Sequence, residues 1–412
     1  MCWGIDAFFE HKYPITPILH RPHVEESLHR IACSPDAYAL LTSCCAVLSL
    51  SPDILPKPPS PGSPSPILVP PTDFLLSETA RARRYCNVAE SQSLLHIQTS
   101  FFLFSAFFCM NKDDAAWFYL RESITMLQTL RLHEEATYSL LDPVDAAYGR
   151  RLFWVLFITE RAYALQRHRP LTLQNTLALP CASPLCNDSD IMPGFLDLIS
   201  LFGHFDTDFI ASWNSSVPLA QPSESTHLSL LQELLKYALP SVSSYAPAQQ
   251  ADLLISQQWL KVMVWKHCVS KALLKTASGD DSMSLTYPAS IARDVVLISK
   301  LLPTKAFEAN GVGILEKIFD VGCSLADLVL LRAEANSAST MEVGPLDTLV
   351  ELASILVTTL QGEFRHSGVL IDKVNQCLLM NVDRGLCLPE VEVLGDLESI
   401  ESAVLGDEII PF

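Results

Sequence analysis

Residues 144–165 constrain the fold more than any other part of the chain, because they combine the repeat of an α-helix with apolar residues on most faces. One stripe at helical spacing consists of Leu152, Val155, Leu156 and Thr159. The adjacent side carries Phe153, Trp154, Phe157, Ile158 and Arg161. A helix that is apolar almost all round is surrounded by other helices. The segment therefore predicts the central helix of a large multi-helix domain.

Helical patterns also dominate the rest of the chain. Residues 93–110, "SLLHIQTSFFLFSAFFCM", are apolar nearly all round and predict a helix packed on several sides. The residues that should form one buried face of the next helix are Ala116, Leu120, Ser123, Ile124 and Leu127. Further helical patterns cover 24–50 with a break at Ser34-Pro35, 73–109, 195–213, 227–238, 248–276, 288–302, 311–334, 343–362 and 364–380. Strand signals are nearly absent, so we predict an all-α fold.

The composition divides the chain into four parts. Residues 1–50 are predicted to be an amino-terminal helical part of a large domain, and residues 73–380 its main helical portion. Between them, residues 51–72 hold nine prolines, whose missing amide donors exclude a helix or central strand and predict an extended linker or exposed loop. Residues 381–412 are predicted to be an acidic tail, with no Lys or Arg after residue 390.

The net charge of −18 argues against a general nucleic-acid binder, which would need Lys and Arg to neutralise phosphates. The twelve cysteines are scattered, and several lie in apolar runs such as "LLTSCCAVL", which favours free thiols in a reducing, intracellular compartment. No apolar run reaches the roughly 18 to 20 residues that a bilayer span requires. We therefore expect a soluble protein without membrane contact.

Patterns typical of catalytic and metal sites are incomplete in this sequence. Cys44-Cys45 and Cys181-x4-Cys186 each lack the second cysteine pair that a zinc site of this kind requires. The pairs in "NKDDAAWFY" and "SGDDSMS" lack the third acidic residue of a magnesium motif. No Gly-x-Ser-x-Gly nucleophile elbow occurs. We therefore predict no catalytic residue, no metal, no cofactor and no enzymatic activity.

The charges within the predicted central helix are the candidate functional residues. Glu160 and Arg161 should be partly buried and therefore need partners, which for Glu160 could be Arg121, Arg167 or Arg169. One interpretation is a polar network that sets the register of the neighbouring helices. The other is that "QRHRP" forms a basic rim for an anionic ligand or partner. The candidate regulatory residues are Arg150, Arg151, Trp154, Glu160, Arg161, Arg167, His168, Arg169 and Pro170.

The same stretch carries a family resemblance. "YGRRLFWVLFITERAYALQRHRPLTL" strongly resembles the central motif of the middle homology region of fungal binuclear-zinc-cluster transcription factors. "FFEHKYPITPILHRP" is similar to the entry segment of that region, and "FLDLISLFGHFDTDFIASWN" to the element after the motif. The resemblance covers roughly residues 5–380 and is strongest to the subgroup of sugar-responsive activators and regulators of metabolic gene clusters.

The resemblance implies a transcription regulator of a fungal metabolic gene set, either for sugar utilisation or for a secondary-metabolite cluster. It also implies that residues 1–50 and 73–380 form the regulatory domain and that the acidic tail, residues 381–412, is a candidate activation segment. It implies action in the nucleus, with the cytoplasm as the alternative, as a homo- or heterodimer with related factors that also contacts coactivators and a small-molecule effector. The family's repeated Cys-x2-Cys-x6-Cys array has no counterpart here. We therefore expect DNA contact only through a zinc cluster that is missing or that a partner supplies.

Two alternatives to that function stay open from the sequence. The first is a partner that does not bind DNA itself and that dimerises with and modulates a full-length zinc-cluster factor. The second is an α-helical small-molecule sensor or enzyme on the same fold, with Glu160, Arg161 and His168 near one end of a buried helix.

Overall fold

The computed structural model describes residues 2–51, 69–182, 188–215, 222–271, 273, 281–332, 344–359, 364 and 366–382. Within these ranges the secondary structure is helical, and no strand occurs. The predicted all-α class is therefore confirmed. None of the helices in the described ranges has the length and apolar character needed to cross a bilayer.

The helices of the first half are α1 (Cys2–Ala7), α2 (Arg21–His29), α3 (Pro35–Ser49), α4 (Thr72–Arg83), α5 (Leu94–Cys109), α6 (Asp113–Thr129), α7 (Pro143–Arg167), α8 (Met192–Gly203) and α9 (Thr207–Asn214). A π-helical turn, Phe8–Lys12, extends α1. The second half contains α10 (Pro222–Lys236), α11 (Pro247–Ser270), α12 (Tyr287–Leu301), α13 (Thr304–Asn310), α14 (Val312–Arg332), α15 (Pro345–Thr358) and α16 (Ser367–Val382).

Helix α7 is the central helix that the sequence predicts. The Asp142 carboxylate caps its amino end by accepting a hydrogen bond from the Val144 amide at 2.9 Å, and Pro143 occupies the first turn. Its side chains are buried on most faces, against α5, α6, α8 and α9. The helix ends where His168 adopts a left-handed backbone with φ of 51°. The position of α7 inside the bundle follows from its lack of a polar face.

The remaining helices pack around α7 and around a second central helix, α11. Helix α5 lies between α3 and α6, and all five residues predicted to form the inner face of α6 are buried. Helix α11 packs against α8, α10, α12, α13 and α14, and α15 and α16 cover the far side of α14. One core cluster runs from Ile5 in α1 to Cys377 in α16, so the described helices share a continuous interior.

Two predicted helical stretches are each divided into two helices, and a third is preceded by a short helix that the sequence analysis did not predict. The 73–109 pattern ends at Arg83 and resumes at Leu94, because the polar sequence between them forms turns. The 195–213 pattern is interrupted before Thr207, where the Asp206 carboxylate caps α9. The pattern at 311–334 is preceded by the short helix α13, and Gly311 separates the two with a φ of 69°, which glycine tolerates best.

The proline-rich part and the acidic tail fall largely outside the described residues. Of residues 51–72, only 51 and 69–72 are described, and α4 begins directly after Pro71. Of residues 381–412, the described part ends at residue 382, in α16. The linker and the activation segment therefore stay predictions.

Candidate functional site

The structure distributes the nine candidate residues along α7 and its exit. A 25-residue helix is roughly 37 Å long at 1.5 Å per residue, so these side chains cannot form one compact site. They form three groups that we name by position. The amino-terminal group contains Arg150, Arg151 and Trp154, the central group contains Glu160 and Arg161, and the carboxyl-terminal group contains Arg167, His168, Arg169 and Pro170.

Glu160 is fully buried and binds Thr172 and Leu173, which belong to the returning chain, the segment after α7 that runs back along this helix. Its Oε1 accepts hydrogen bonds from Arg121 Nη1 at 2.9 Å, from the Thr172 amide at 2.9 Å and from Thr172 Oγ1 at 2.7 Å. Its Oε2 accepts a hydrogen bond from the Leu173 amide at 2.9 Å. A buried carboxylate with four donors is well compensated for its loss of hydration. Of the three partners that the sequence allowed for Glu160, the structure selects Arg121.

Arg161 is also buried, and it contacts the same segment after α7 through Leu173. It donates hydrogen bonds to the Phe157 carbonyl at 3.3 Å and the Leu173 carbonyl at 3.2 Å. Its guanidinium carbon lies 3.3 Å from the centroid of the Phe157 ring, a stacked cation–π contact. Burial lowers the pKa of Arg161 to about 10, although the Glu160 and Asp206 carboxylates oppose this shift. Within the described ranges no carboxylate oxygen lies within 4.0 Å of the Arg161 guanidinium nitrogens. Two backbone carbonyl oxygens and the Phe157 ring therefore bind this cation.

Arg151 in the amino-terminal group is completely buried and is paired with Asp188. The contact between Arg151 Nη1 and Asp188 Oδ2 is 2.6 Å long. Tyr13 completes the group: its hydroxyl accepts from Arg151 Nη1 at 3.1 Å and donates to Asp188 Oδ1 at 3.1 Å. These contacts join the amino-terminal segment to α7 and to the chain before α8.

Arg150 and Trp154 both bind Ala178, which follows Thr172 and Leu173 in the chain. Arg150 forms a two-point salt bridge with Glu135, at 2.8 and 2.5 Å, and donates to the Ala178 carbonyl at 3.1 Å. The Trp154 indole donates to the same carbonyl at 3.1 Å. The hydrogen bonds from Arg150 and from the Ala178 amide lower the pKa of Glu135 to about 2. The group therefore stays charged and paired at neutral pH.

The carboxyl-terminal group links α7 to three other helices. Arg167 lies between Asp113 at the start of α6, at 3.2 Å, and Glu316 in α14, at 3.4 Å. The His168 ring stacks on Trp213 of α9, with centroids 5.4 Å apart and planes 7° apart. Arg167 is therefore engaged by two carboxylates, and His168, although exposed, is stacked on an aromatic ring.

The other two residues of the carboxyl-terminal group differ in exposure. The Arg169 guanidinium lies 5.3 Å from the Trp117 ring centroid and is half-buried, whereas Pro170 is exposed. Trp117 is shared, because Arg121 lies over it at 5.5 Å and Tyr163 stacks on it with planes 6° apart. The rim is thus part of a stack of cations and rings between α6 and α7 rather than a row of free cations.

The structure also forms one group with metal-ligand chemistry, which the search for paired cysteines missed. Asp36, Cys86 and His96 each offer one ligand atom, and these atoms lie within 4.8 Å of one another. His96 Nε2 is 3.0 Å from Asp36 Oδ1, and Ser93 Oγ is 3.3 Å from His96 Nδ1. Burial raises the pKa of the Asp36 carboxyl group. Hydrogen bonds from Cys86 and His96 lower it, and the net pKa is below its ordinary value. The contact between His96 and Asp36 ties α3 to α5, whereas the Cys86 thiol donates to the Ala82 carbonyl at 3.5 Å.

The functional partners that sequence reasoning missed are Asp188, Tyr13, Glu135, Thr172 and Glu316. Tyr13 and Glu316 lie 138 and 149 residues away from the arginines that they contact. The Glu160 contacts to Thr172 and Leu173 are local, and a buried acid shortly before a proline-terminated helix was a usable signal for them. For the distant partners no spacing rule applies.

The candidate residues lie within the part of the chain that matches a known protein family. The model of the fungal specific transcription factor domain matches residues 5–263, which include α1 to α10 and most of α11. The probable sucrose utilization protein SUC1 of Candida albicans is 29% identical over 279 residues, covering 66% of this chain and 53% of the relative. The maltose fermentation regulatory protein MAL13 of Saccharomyces cerevisiae is 23% identical over 247 residues, covering 58% of this chain and 50% of the relative.

A further relative is the respiratory transcription factor ZNF1 of Saccharomyces cerevisiae, 23% identical over 238 residues, with 55% of this chain and 50% of the relative covered. The chain spans about half the length of the curated relatives that it matches. The family match covers more than half of the 412 residues and includes all nine candidate residues. The chain therefore belongs to the fungal specific transcription factor domain family.

Proposed function

We propose that this protein regulates the transcription of a fungal gene set for sugar utilisation, and that it does so from the nucleus. The observation that carries the proposal is the family match over residues 5–263. Its relatives include proteins named for sucrose utilization and for the regulation of maltose fermentation, which supports sugars over secondary metabolism as the regulated pathway.

In this proposal α7 and its three groups form the scaffold of the regulatory domain. Glu160 and Arg161 hold residues 172–173, Arg151 holds the amino-terminal segment through Tyr13, and Arg167 holds α6 and α14. Each of these charges is compensated by a different segment, so the segments cannot shift independently of α7 without leaving a charge unpaired. A scaffold coupled in this way can pass a change at one surface to another surface of the domain.

The partners of this scaffold belong to the same proposal. We propose a homo- or heterodimer with related factors, contact with coactivators, and control by a small-molecule effector. DNA contact would come from a zinc cluster in a further segment or in a partner. A modulator that acts only by dimerising with a full-length relative would have the same scaffold, and pull-down of the tagged protein from cells separates the two by recovering or failing to recover such a relative.

Gene deletion tests the proposal directly. Transcripts of the deletion strain, the wild type and a complemented strain would be compared during growth on glucose, sucrose and maltose. We expect altered transcripts of transporter and glycosidase genes on at least one disaccharide, restored by complementation. Unchanged transcripts on all three sugars would contradict the proposal, and changes confined to a secondary-metabolite cluster would replace the gene set.

A further inference from the structure

A cavity of about 240 Å³ lies beside α7, and the other helical elements that line it are the π-helical turn after α1, α3, α5, α8, α11, α13 and α14. Six phenylalanine rings form much of its wall: Phe8, Phe101, Phe102, Phe104, Phe108 and Phe202. The aliphatic side chains of Leu48 and Leu198 complete the apolar part. An engineered apolar cavity of roughly 150 Å³ binds benzene, so this space is large enough for a small organic molecule.

One cation at this cavity, the half-buried Lys12, has no counter-ion among the described residues. Lys12 lines the cavity, and its Nζ donates a hydrogen bond to the Ala309 carbonyl at 2.8 Å. An ammonium group has three donors, and among the described residues the Ala309 carbonyl is the one hydrogen-bond acceptor of Lys12 Nζ. No carboxylate of the described ranges lies within 4.0 Å of it. Burial accordingly lowers the pKa of Lys12.

The second lysine of the cavity is in the opposite situation. Lys317 Nζ donates to Asp252 Oδ1 at 3.0 Å and to Ser256 Oγ at 2.6 Å, so its charge is compensated within the protein. The Asn310 amide nitrogen donates to the carbonyls of Ala248 and Ala306, at 2.9 and 2.8 Å. These polar groups are therefore occupied. Among the charged lining residues in the described ranges, Lys12 is the one whose charge has no partner of opposite sign.

We propose that this cavity binds a small organic monoanion with an apolar body, such as an alkyl or aryl carboxylate, with the carboxylate at Lys12 and the body against the phenylalanine rings. A carboxylate–ammonium contact is a charge-assisted hydrogen bond, and it would offset the desolvation of Lys12. A sugar fits poorly, because each buried hydroxyl needs a partner and the walls are mostly apolar. The ligand of the cavity thus differs in class from the sugars named by the relatives.

The assay is calorimetric titration of the purified full chain with sodium octanoate as the probe. 1-Octanol has the same chain without the charge, octylamine reverses the charge, and maltose represents a sugar. We expect saturable binding of one octanoate, at least tenfold weaker binding of octanol, and no binding of octylamine or maltose. No saturable octanoate binding, or equal affinity for octanol, would overturn the proposal.

Three variants separate the charge from the space. Lys12→Met removes the charge and should weaken octanoate binding at least tenfold while leaving octanol binding unchanged. The matched control Lys305→Met makes the same change at an exposed lysine of α13 and should leave both unchanged. Gly313→Leu fills the cavity from α14, where a Cβ meets no atom within 4 Å, and should weaken both ligands.

Variant outcomes of the opposite kind are equally definite. Octanoate affinity that is the same in Lys12→Met and in wild type, in proteins with wild-type circular dichroism, would overturn the role of the charge. Affinity unaffected by Gly313→Leu would place the ligand elsewhere and overturn the cavity.

The meaning of the cavity for regulation rests on the proposed function, whereas binding itself does not. A reporter for a sugar-utilisation gene, measured in cells with the wild-type, Lys12→Met or Lys305→Met protein, separates the two. If octanoate binds and the deletion strain has unchanged transcripts, the regulatory function fails and the site stands. If transcripts change and octanoate does not bind, the site fails alone.

Discussion

Arg121 and Glu160 form a salt bridge of 2.9 Å between α6 and α7, in which the glutamate is fully buried and the arginine side chain is 29% exposed. The two partners are therefore not equivalent. Without Glu160, the arginine can turn towards water, but the amides of Thr172 and Leu173 lose their acceptor. Without Arg121, the carboxylate keeps three protein donors. The dominant role of Glu160 is to bind the returning chain, and the salt bridge adds to it.

Glu160→Gln should lower the free energy of unfolding by about 2–4 kcal/mol, because a neutral amide cannot accept all four hydrogen bonds and presents its own donors to them. Arg121→Met should cost less, about 1–2 kcal/mol, because the carboxylate stays bonded to the backbone. Urea denaturation followed by circular dichroism measures both values.

The control for this pair is Glu134→Gln, the same change at a glutamate whose side chain is 42% exposed. Its effect should stay within about 0.5 kcal/mol, since exposed ion pairs contribute little. Equal losses for Glu160→Gln and Arg121→Met would show that the ion pair, and not the backbone contact, carries the stability.

Arg151→Met should be strongly destabilising, by about 3–5 kcal/mol, because it leaves the Asp188 carboxylate buried without a cation. The double variant Arg151→Met with Asp188→Leu should be more stable than the single variant, since no charge is then left unpaired. Thermal denaturation of the single variants and the double variant completes the cycle. A double variant that loses the sum of the two single losses would show that the residues do not interact.

Gly313→Ala and Gly322→Ala test packing within one helix, α14. At Gly313 an added Cβ meets no atom within 4 Å, so alanine should stabilise the protein by up to about 1 kcal/mol through helix propensity. At Gly322 the Cβ would lie 2.9 Å from Leu370 Cδ2 of α16, which is buried and must move. We expect Gly322→Ala to be less stable than Gly313→Ala, as measured by the shift in Tm. The reverse order would contradict the close approach of α14 and α16.

The cysteines should react with iodoacetamide in an order set by burial and pKa. Burial raises the pKa of Cys45 to about 11 and that of Cys44 well above its usual value, so at pH 8 only about one in a thousand Cys45 side chains is a thiolate. Cys2 and Cys33 are exposed and should be alkylated first. Raising the pH from 7 to 9 should leave Cys45 slow, because the whole interval lies below its pKa. Peptide mass spectrometry after timed labelling measures the order, and early labelling of Cys45 would contradict its burial in α3.

Local patterns predicted the helices well where the signal lies within a few turns. The inner face of α6, the Asp142 cap and Pro143 at the start of α7 are all as predicted, because helical periodicity and capping depend on residues three or four apart. The turns between α4 and α5 were missed, since the polar residues there do not break the repeat strongly enough to end a helix. Arg121 was one of three candidate partners for Glu160, and packing decided among them.

What depends on residues far apart in the chain came from the packing of the helices. The amino-acid order alone shows that α7 is apolar, charged at intervals and surrounded by other helices. That Arg151 pairs with Asp188, that Asp36 contacts His96, and that Lys12 donates to Ala309 follows from which helices lie side by side. A buried charged side chain requires a partner, but its residue type does not indicate where in the chain that partner lies. For this reason the scaffold could be read from the chain, whereas the partners and the cavity appear only when the helices are assembled.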